Sequence, residues 1–188
     1  MKEKLIDLLK TYLELFPEEQ ERQQILLKYL ETATDEELTD WNNFNGHLVA
    51  GGFIYAISEK KFLVLYHKDL KMYLYPGGHI DKDDKTTLEA AIREIKEETS
   101  LEDLTQLTLE NDPLLPVDID THIIPYNEYR NLPEHYHFET RYLFTTPTTE
   151  NVSIDENESS AYKWIDINEL EQDPNYGKIV SKIKRLIK

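Results

Sequence analysis

Apolar residues recur at helical spacing at both ends of the chain, and alternate with polar ones through most of what lies between. Leucines and tyrosines at that spacing predict helices over residues 2–16 and 18–32, separated by Pro17, with a short third over 35–41 and a turn at 42–46. From residue 47 the period falls to two. Strands are predicted over 47–57 and 61–67, as a hairpin about Ser58-Glu59-Lys60, and over 72–75, 104–109, 117–124, 136–145 and 162–165. A terminal helix over 177–188 carries Ile179, Val180, Ile183, Leu186 and Ile187 on one side, a stripe suited to docking on a sheet. Strands around one central helix, with helices at both ends, predict an α/β (α+β) fold: a mixed sheet covered on two faces.

That central helix carries the most specific chemistry. Thr86-Thr87-Leu88-Glu89 reads as a capping box that starts it, and Leu88, Ala91, Ile92, Ile95 and Thr99 give it a buried stripe. Glu94, Glu97 and Glu98 fall at i, i+3 and i+4 and are expected to project together from another face. Glu94 and Glu98 repel one another, and Glu97 and Glu98 sit in the last turn, where the helix dipole disfavours anions. A bound Mg²⁺ or Mn²⁺ would remove both conflicts, since these ions favour carboxylate oxygens and keep positions open for water and phosphate. Arg93 is spaced to tie the helix together and orient a carboxylate. Just ahead lies Pro76-Gly77-Gly78, read as a turn at which backbone can approach a phosphate closely.

The segment resembles the Nudix box, whose pattern is G-x5-E-x7-R-E-U-x-E-E-x-G-U, with U a bulky apolar residue. Gly78, Arg93, Glu94, Ile95, Glu97, Glu98 and Leu101 match it. The interval from Gly78 to Arg93 is 15 residues, one longer than the pattern's, Asp84 or Lys85 falls at the first Glu, and Ser100 replaces the last Gly. Residues from His47 to about Leu170, including Gly-Gly-His-Ile-Asp81, Asp118-Ile-Asp120, Pro133-Glu-His135 and Trp164, are similar to Nudix proteins that keep Gly-Gly-His-x-Asp and a His-rich strand downstream. The resemblance implies a Nudix-type α/β/α sandwich over 45–188, with the box at 77–101 and residues 1–44 as a helical extension. It also implies Mg²⁺- or Mn²⁺-dependent hydrolysis of a diphosphate linkage, usually in a nucleoside diphosphate joined to another group. Glu94, Glu97 and Glu98 would hold the metal, with Arg93 beside them, and Gly77, Gly78 and His79 would line the phosphate side.

Two further clusters bear on the same chemistry. Alternation after Pro133 sends Tyr136, Phe138, Thr140 and Tyr142 to one face and His135, His137, Glu139 and Arg141 to the other. Glu139 is then a candidate ligand or base, while His137 and Arg141 are candidates to touch phosphate; simple burial or solvation of the histidines competes with that role. A zinc site on His135 and His137 is disfavoured, because no third histidine accompanies them at a motif spacing. Asp155-Glu156-Asn157-Glu158 is a solvated loop or, in view of the family's use of a glutamate outside the box, the source of the base in Glu158.

Composition sets limits around this reading. The 188 residues, 39% of them hydrophobic, suffice for one core, and no apolar run is long enough to span a membrane. The chain opens on a mixed-charge amphipathic segment instead of a signal peptide, and it has no cysteine, which excludes disulfides and thiol catalysis and fits a cytoplasmic protein. A net charge of −16 works against nucleic-acid backbone and anionic membranes, and the resemblance implies a small nucleotide-type substrate as the partner. The N-terminal helices pack on the domain, cover the site, or join two copies as a homodimer. An isoprenoid-diphosphate isomerase is expected to need a cysteine that is absent. A non-catalytic nucleotide-binding module remains the alternative to a hydrolase.

Overall fold

The structure is a computed structural model, and it describes residues 1–128, 131–174 and 176–187. Its helices are α1 (Lys2–Leu15), α2 (Gln24–Thr32), α3 (Asp35–Thr39), α4 (Thr87–Thr99), α5 (Ile167–Gln172) and α6 (Gly177–Leu186). Its strands are β1 (His47–Ala56), β2 (Lys61–His67), β3 (Met72–Leu74), β4 (Gly77–His79), β5 (Thr105–Leu107), β6 (Asp118–Ile124), β7 (His135–Thr146) and β8 (Ser159–Asp166). All eight strands among the described residues join one mixed sheet. Its spine is the parallel pair β1 and β7, in register from His47↔His137 to Ala56↔Thr146. Antiparallel β6 flanks β7, and antiparallel β4 flanks β1.

The two faces of β7 meet different helices. Phe138, Thr140 and Tyr142 are buried on the α4 side, where the Tyr142 and Thr87 hydroxyls stand 2.7 Å apart. On the other face Tyr176, just ahead of α6, packs on Phe53 and Tyr75, and Lys182 of α6 reaches Asp118 of β6 at 3.0 Å. The expected α/β/α layering is thus observed. Leu5, Leu9, Tyr12, Leu26, Leu30 and Leu38 of the N-terminal helices belong to the same apolar core as the sheet.

Several expectations are corrected. The helix expected over 18–32 begins only at Gln24, after a short 3₁₀ turn at Pro17–Glu19. Tertiary contacts hold the intervening residues: the Gln23 side chain donates to the Ile119 carbonyl at 2.6 Å, and Arg22 pairs with Asp118 at 2.7 Å. α3 stops at Thr39 and is started by a Thr34–Glu37 capping box. α5, not foreseen, starts on a second box formed by Asp166 and Glu169. α6 ends at Leu186; Lys188, the last residue of the expected helix, lies outside the described residues.

The largest correction is at the glycines. Residues 77–79 form a strand, not a turn, pairing Gly77 with Gly51, Gly78 with Ala50 and His79 with Val49. Neither Gly77 nor Gly78 has a positive φ, so backbone freedom does not explain them. Close approach does: a Cβ on Gly77 would stand 2.6 Å from the Gly51 Cα and 2.8 Å from the Ala50 oxygen.

Candidate active site

The site is built on α4. The Thr86 hydroxyl accepts from the Glu89 amide at 3.1 Å, as expected of the cap, but the Glu89 carboxylate reaches back to the Lys85 amide at 2.8 Å, one residue before the N-cap. The helix ends at Ser100, which is left-handed at φ 55° and donates to the Lys96 carbonyl at 2.8 Å. A serine thus occupies the conformation that makes glycine common just beyond a helix. The buried side also differs from the expected stripe. Thr87, Ala90, Ala91, Ile95, Glu98 and Thr99 are buried, with Leu88 and Ile92 half-buried at its margins.

Glu98 therefore belongs to the packed face and is only 6% exposed. It is buried because β4 crosses there, the Gly77 amide donating to its Oε2 at 2.7 Å. Gly78 lies directly over Glu94: a Cβ on that glycine would stand 2.5 Å from the carboxylate. The two glycines lay a side-chain-free strand across two carboxylates: at Gly77 the facing backbone excludes a side chain, and at Gly78 one would displace the Glu94 carboxylate.

Arg93 fixes the remaining side. Its guanidinium donates to Glu94 at 2.8 Å, Glu97 at 3.1 Å, Asp84 at 2.8 Å and the His79 carbonyl at 2.9 Å. Asp84 falls where the longer glycine-to-arginine interval left the family glutamate in doubt, and its side chain, 8% exposed, serves Arg93. Glu97 is the outlying carboxylate, 59% exposed and turned to Arg93.

Loop residues 153–158 are laced to the end of α4, with Ser153 donating to the Thr99 carbonyl at 2.9 Å and Asp155 to the Glu98 carbonyl at 3.1 Å. These bonds satisfy carbonyls that the helix end leaves open and bring the acidic loop to the carboxylates. Burial pushes Glu94 up to about 7; Glu97 and Glu158 add to the shift and Arg93 offsets part of it. Glu98 is pushed up to about 8 by burial, then by Glu158, Glu94 and Asp155, against the Gly77 hydrogen bond. Glu158, exposed on the loop, is thus close enough to act on both.

The β7 residues are disposed differently. Arg141, 5% exposed, donates to Glu139 at 2.8 Å, Asp120 at 2.9 Å, Asp118 at 3.0 Å and the Tyr75 hydroxyl at 2.7 Å. Glu139 also accepts from Tyr75. The expectation that Arg141 touches phosphate and Glu139 serves as ligand or base therefore meets a closed ion network in which both are engaged. His137 and His79 stand instead in a cluster of imidazoles with His47, which the sequence reading passed over. No local motif marks His47; the cross-strand pairing His47↔His137 joins residues 90 positions apart. Among the described residues, three ligand atoms converge within 4.8 Å at His47, His79 and His137 and at Asp120, His122 and Glu139. The α4 glutamates are not such a triplet, Glu97 being drawn to Arg93. A cleft of about 250 Å³ between α1 and the first turn of α4, lined by Leu5, Leu8, Thr87 and Tyr142, lies at the end of that helix away from the carboxylates.

A mixed sheet between helical layers, with a glycine strand laid over a carboxylate helix, defines the class to which comparison with known proteins leads. The NUDIX domain family model matches residues 46–183, and the chain belongs to that family and is a hydrolase of it. It is 30% identical over 123 residues to the probable DHNTP pyrophosphohydrolase of Lactococcus lactis subsp. cremoris strain MG1363, covering 65% of this chain and 69% of the relative. A NUDIX-family hydrolase from Clostridium perfringens superposes with a TM-score of 0.55 at 26% identity, over 75% of this chain and 95% of that one. The dihydroneopterin triphosphate pyrophosphohydrolase of E. coli shares the fold, with a TM-score of 0.57 at 21% identity over 72% of this chain and 92% of that one.

Proposed function

We propose that the protein is a divalent-metal-dependent pyrophosphohydrolase that cleaves a diphosphate linkage in a nucleotide-like substrate by attack of water at phosphorus. The observation that carries this reading is the placement of Glu94 and Glu98 beneath the Gly77-Gly78 strand, with Glu158 bearing on both. Hard oxygen donors of like charge, raised in pKa by crowding and burial, suit Mg²⁺ or Mn²⁺. Glu94 and Glu98, joined by Glu97 on release from Arg93, would hold the ion. When bound, it neutralises charge on the diphosphate and acidifies water.

The chain's own groups supply the rest. Arg93 orients Glu94 and Glu97 while anchored by Asp84 and the His79 carbonyl. The missing side chains of Gly77 and Gly78 leave room for phosphate oxygens close to the backbone. Glu158 is the better candidate to take the water's proton, since Glu139 already accepts from Arg141 and Tyr75. The Lactococcus relative is named a probable DHNTP pyrophosphohydrolase, which supports a substrate with a diphosphate linkage.

The test is Mg²⁺- or Mn²⁺-dependent product release from a panel of ADP-ribose, dinucleoside polyphosphates, nucleotide sugars, nucleoside triphosphates and dihydroneopterin triphosphate. Isotopically labelled water would identify the phosphorus attacked. Turnover abolished in Glu98→Gln and strongly reduced in Glu158→Gln supports the reading. Nucleotide binding without turnover, unchanged in Glu98→Gln, would replace it with a binding module.

A further inference from the structure

Five histidines, His47, His79, His122, His135 and His137, meet where β1, β4, β6 and β7 run side by side. His47 and His122 both lie opposite His137, in the parallel and antiparallel ladders respectively, and His79 arrives from β4. The His47 ring centroid is 4.8 Å from that of His137 and 5.0 Å from those of His79 and His135. His47 is 1% exposed.

Packing of rings does not account for the orientation of their nitrogens. His47 Nδ1 lies 3.2 Å from the Asn43 carbonyl oxygen, and His135 Nδ1 lies 2.7 Å from that of Pro133. A carbonyl only accepts, so each Nδ1 carries the proton and each Nε2 is left with a lone pair. Among the described residues His47 Nε2 is buried with no hydrogen-bond partner, a costly arrangement for an acceptor. One nitrogen each from His47, His79 and His137 lies within 4.8 Å of the other two. A histidine whose second ring nitrogen donates to a backbone carbonyl is the usual disposition of a metal ligand.

We propose that His47, His79 and His137 form a second cation site, for a borderline divalent transition metal such as Zn²⁺, separate from the carboxylate site on α4. Three neutral nitrogen donors suit Zn²⁺ and not Mg²⁺. Bound at roughly 2.0–2.1 Å, such nitrogens stand about 3.4 Å apart, so the rings draw together by at most about 1.4 Å. His79, on the exposed side of the cluster, supplies most of that movement. The fourth position is left to water, an anion or His135, whose Nε2 is 3.3 Å from that of His137. The neighbouring triplet of Asp120, His122 and Glu139 converges as closely, but Arg141 lies 2.9 Å from Asp120 and 2.8 Å from Glu139 and already engages both carboxylates.

The experiment is titration of Co²⁺, as a spectroscopic stand-in for Zn²⁺, into the full chain in excess Mg²⁺. A nitrogen-ligated tetrahedral Co²⁺ gives an intense visible band. The expected result is a single such ion per chain, displaced by Zn²⁺, retained in Glu98→Gln and lost in His47→Gln and His137→Gln. Because a change at a buried histidine can unfold the chain, His79→Gln serves as the second variant. With its fold verified by circular dichroism, it should bind Co²⁺ more weakly by roughly tenfold or more. The proposal is overturned if the native chain develops no band, or if the band survives in folded His79→Gln and disappears in Glu98→Gln. The readout is absorption, so either outcome leaves the hydrolase reading to be decided on turnover.

Discussion

At the scale of single residues, two adjacent glycines do different work. A methyl on Gly78 meets only the far end of Glu94, which can swing aside, whereas a methyl on Gly77 meets the backbone of Gly51 and Ala50. Gly78→Ala should therefore fold with nearly native stability and lose most of its turnover through a displaced Glu94. Gly77→Ala should lose stability by about 1–3 kcal/mol or more in urea melts, as overpacking does. Equal thermal stability of the two variants would refute this division. The carboxylates themselves give a pH dependence. Glu94 and Glu98 are raised to about 7 and about 8, above their ordinary unfolded range, so the stability that their protonated forms contribute is present at acidic pH. It is lost as pH rises through those values, where the ionised pair becomes ready for a cation. Melting curves should show the metal-free chain less stable at pH 9 than at pH 6, with stabilisation by Mg²⁺ growing over the same interval. A Mg²⁺ effect that did not change with pH would count against the two glutamates as the binding groups.

At the scale of an element, α4 has a good start and a strained stop. Thr86→Ala removes the hydroxyl that accepts from the Glu89 amide and should cost about 1 kcal/mol. Ser100→Gly relieves a left-handed serine and should add about 0.5–1 kcal/mol, both read from denaturant midpoints. The same element shows how far periodicity reaches. Spacing placed Glu94, Glu97 and Glu98 on one helix and the cap at Thr86, because those depend on neighbours within a turn or two. It also assigned Glu98 to an open face with Glu94 and Glu97, from their i, i+3 and i+4 spacing. The β4 amide that accompanies Glu98 into the interior comes from a strand with no signature beyond two glycines.

At the scale of the whole molecule, an ion network holds the sheet to its N- and C-terminal helices. Asp118, 1% exposed, accepts from Arg141 of β7 at 3.0 Å, Lys182 of α6 at 3.0 Å and Arg22 ahead of α2 at 2.7 Å. Asp118→Ala removes the one carboxylate that all three cations share, leaving Arg22 and Lys182 with Glu19 and Arg141 with Asp120 and Glu139, and should destabilise the chain by about 1–3 kcal/mol in urea unfolding. A loss below about 1 kcal/mol would show that the network contributes little.

The sequence by itself determined every helix but α5, most strands, the layered class and the Nudix box, since each is written in spacings between near neighbours. It also placed Glu97 within reach of Arg93, four residues away. Only the tertiary structure decided that Gly77 and Gly78 form a strand over the carboxylates of Glu94 and Glu98, that Asp84 supports Arg93, and that Arg141 and Glu139 are closed in a buried network. It alone brought His47 to His79 and His137. The physical reason is that strand register and burial join residues tens of positions apart in three of these cases, while the Asp84–Arg93 pair depends on the path of an irregular loop, and none of these leaves a local period in the chain for the sequence to display.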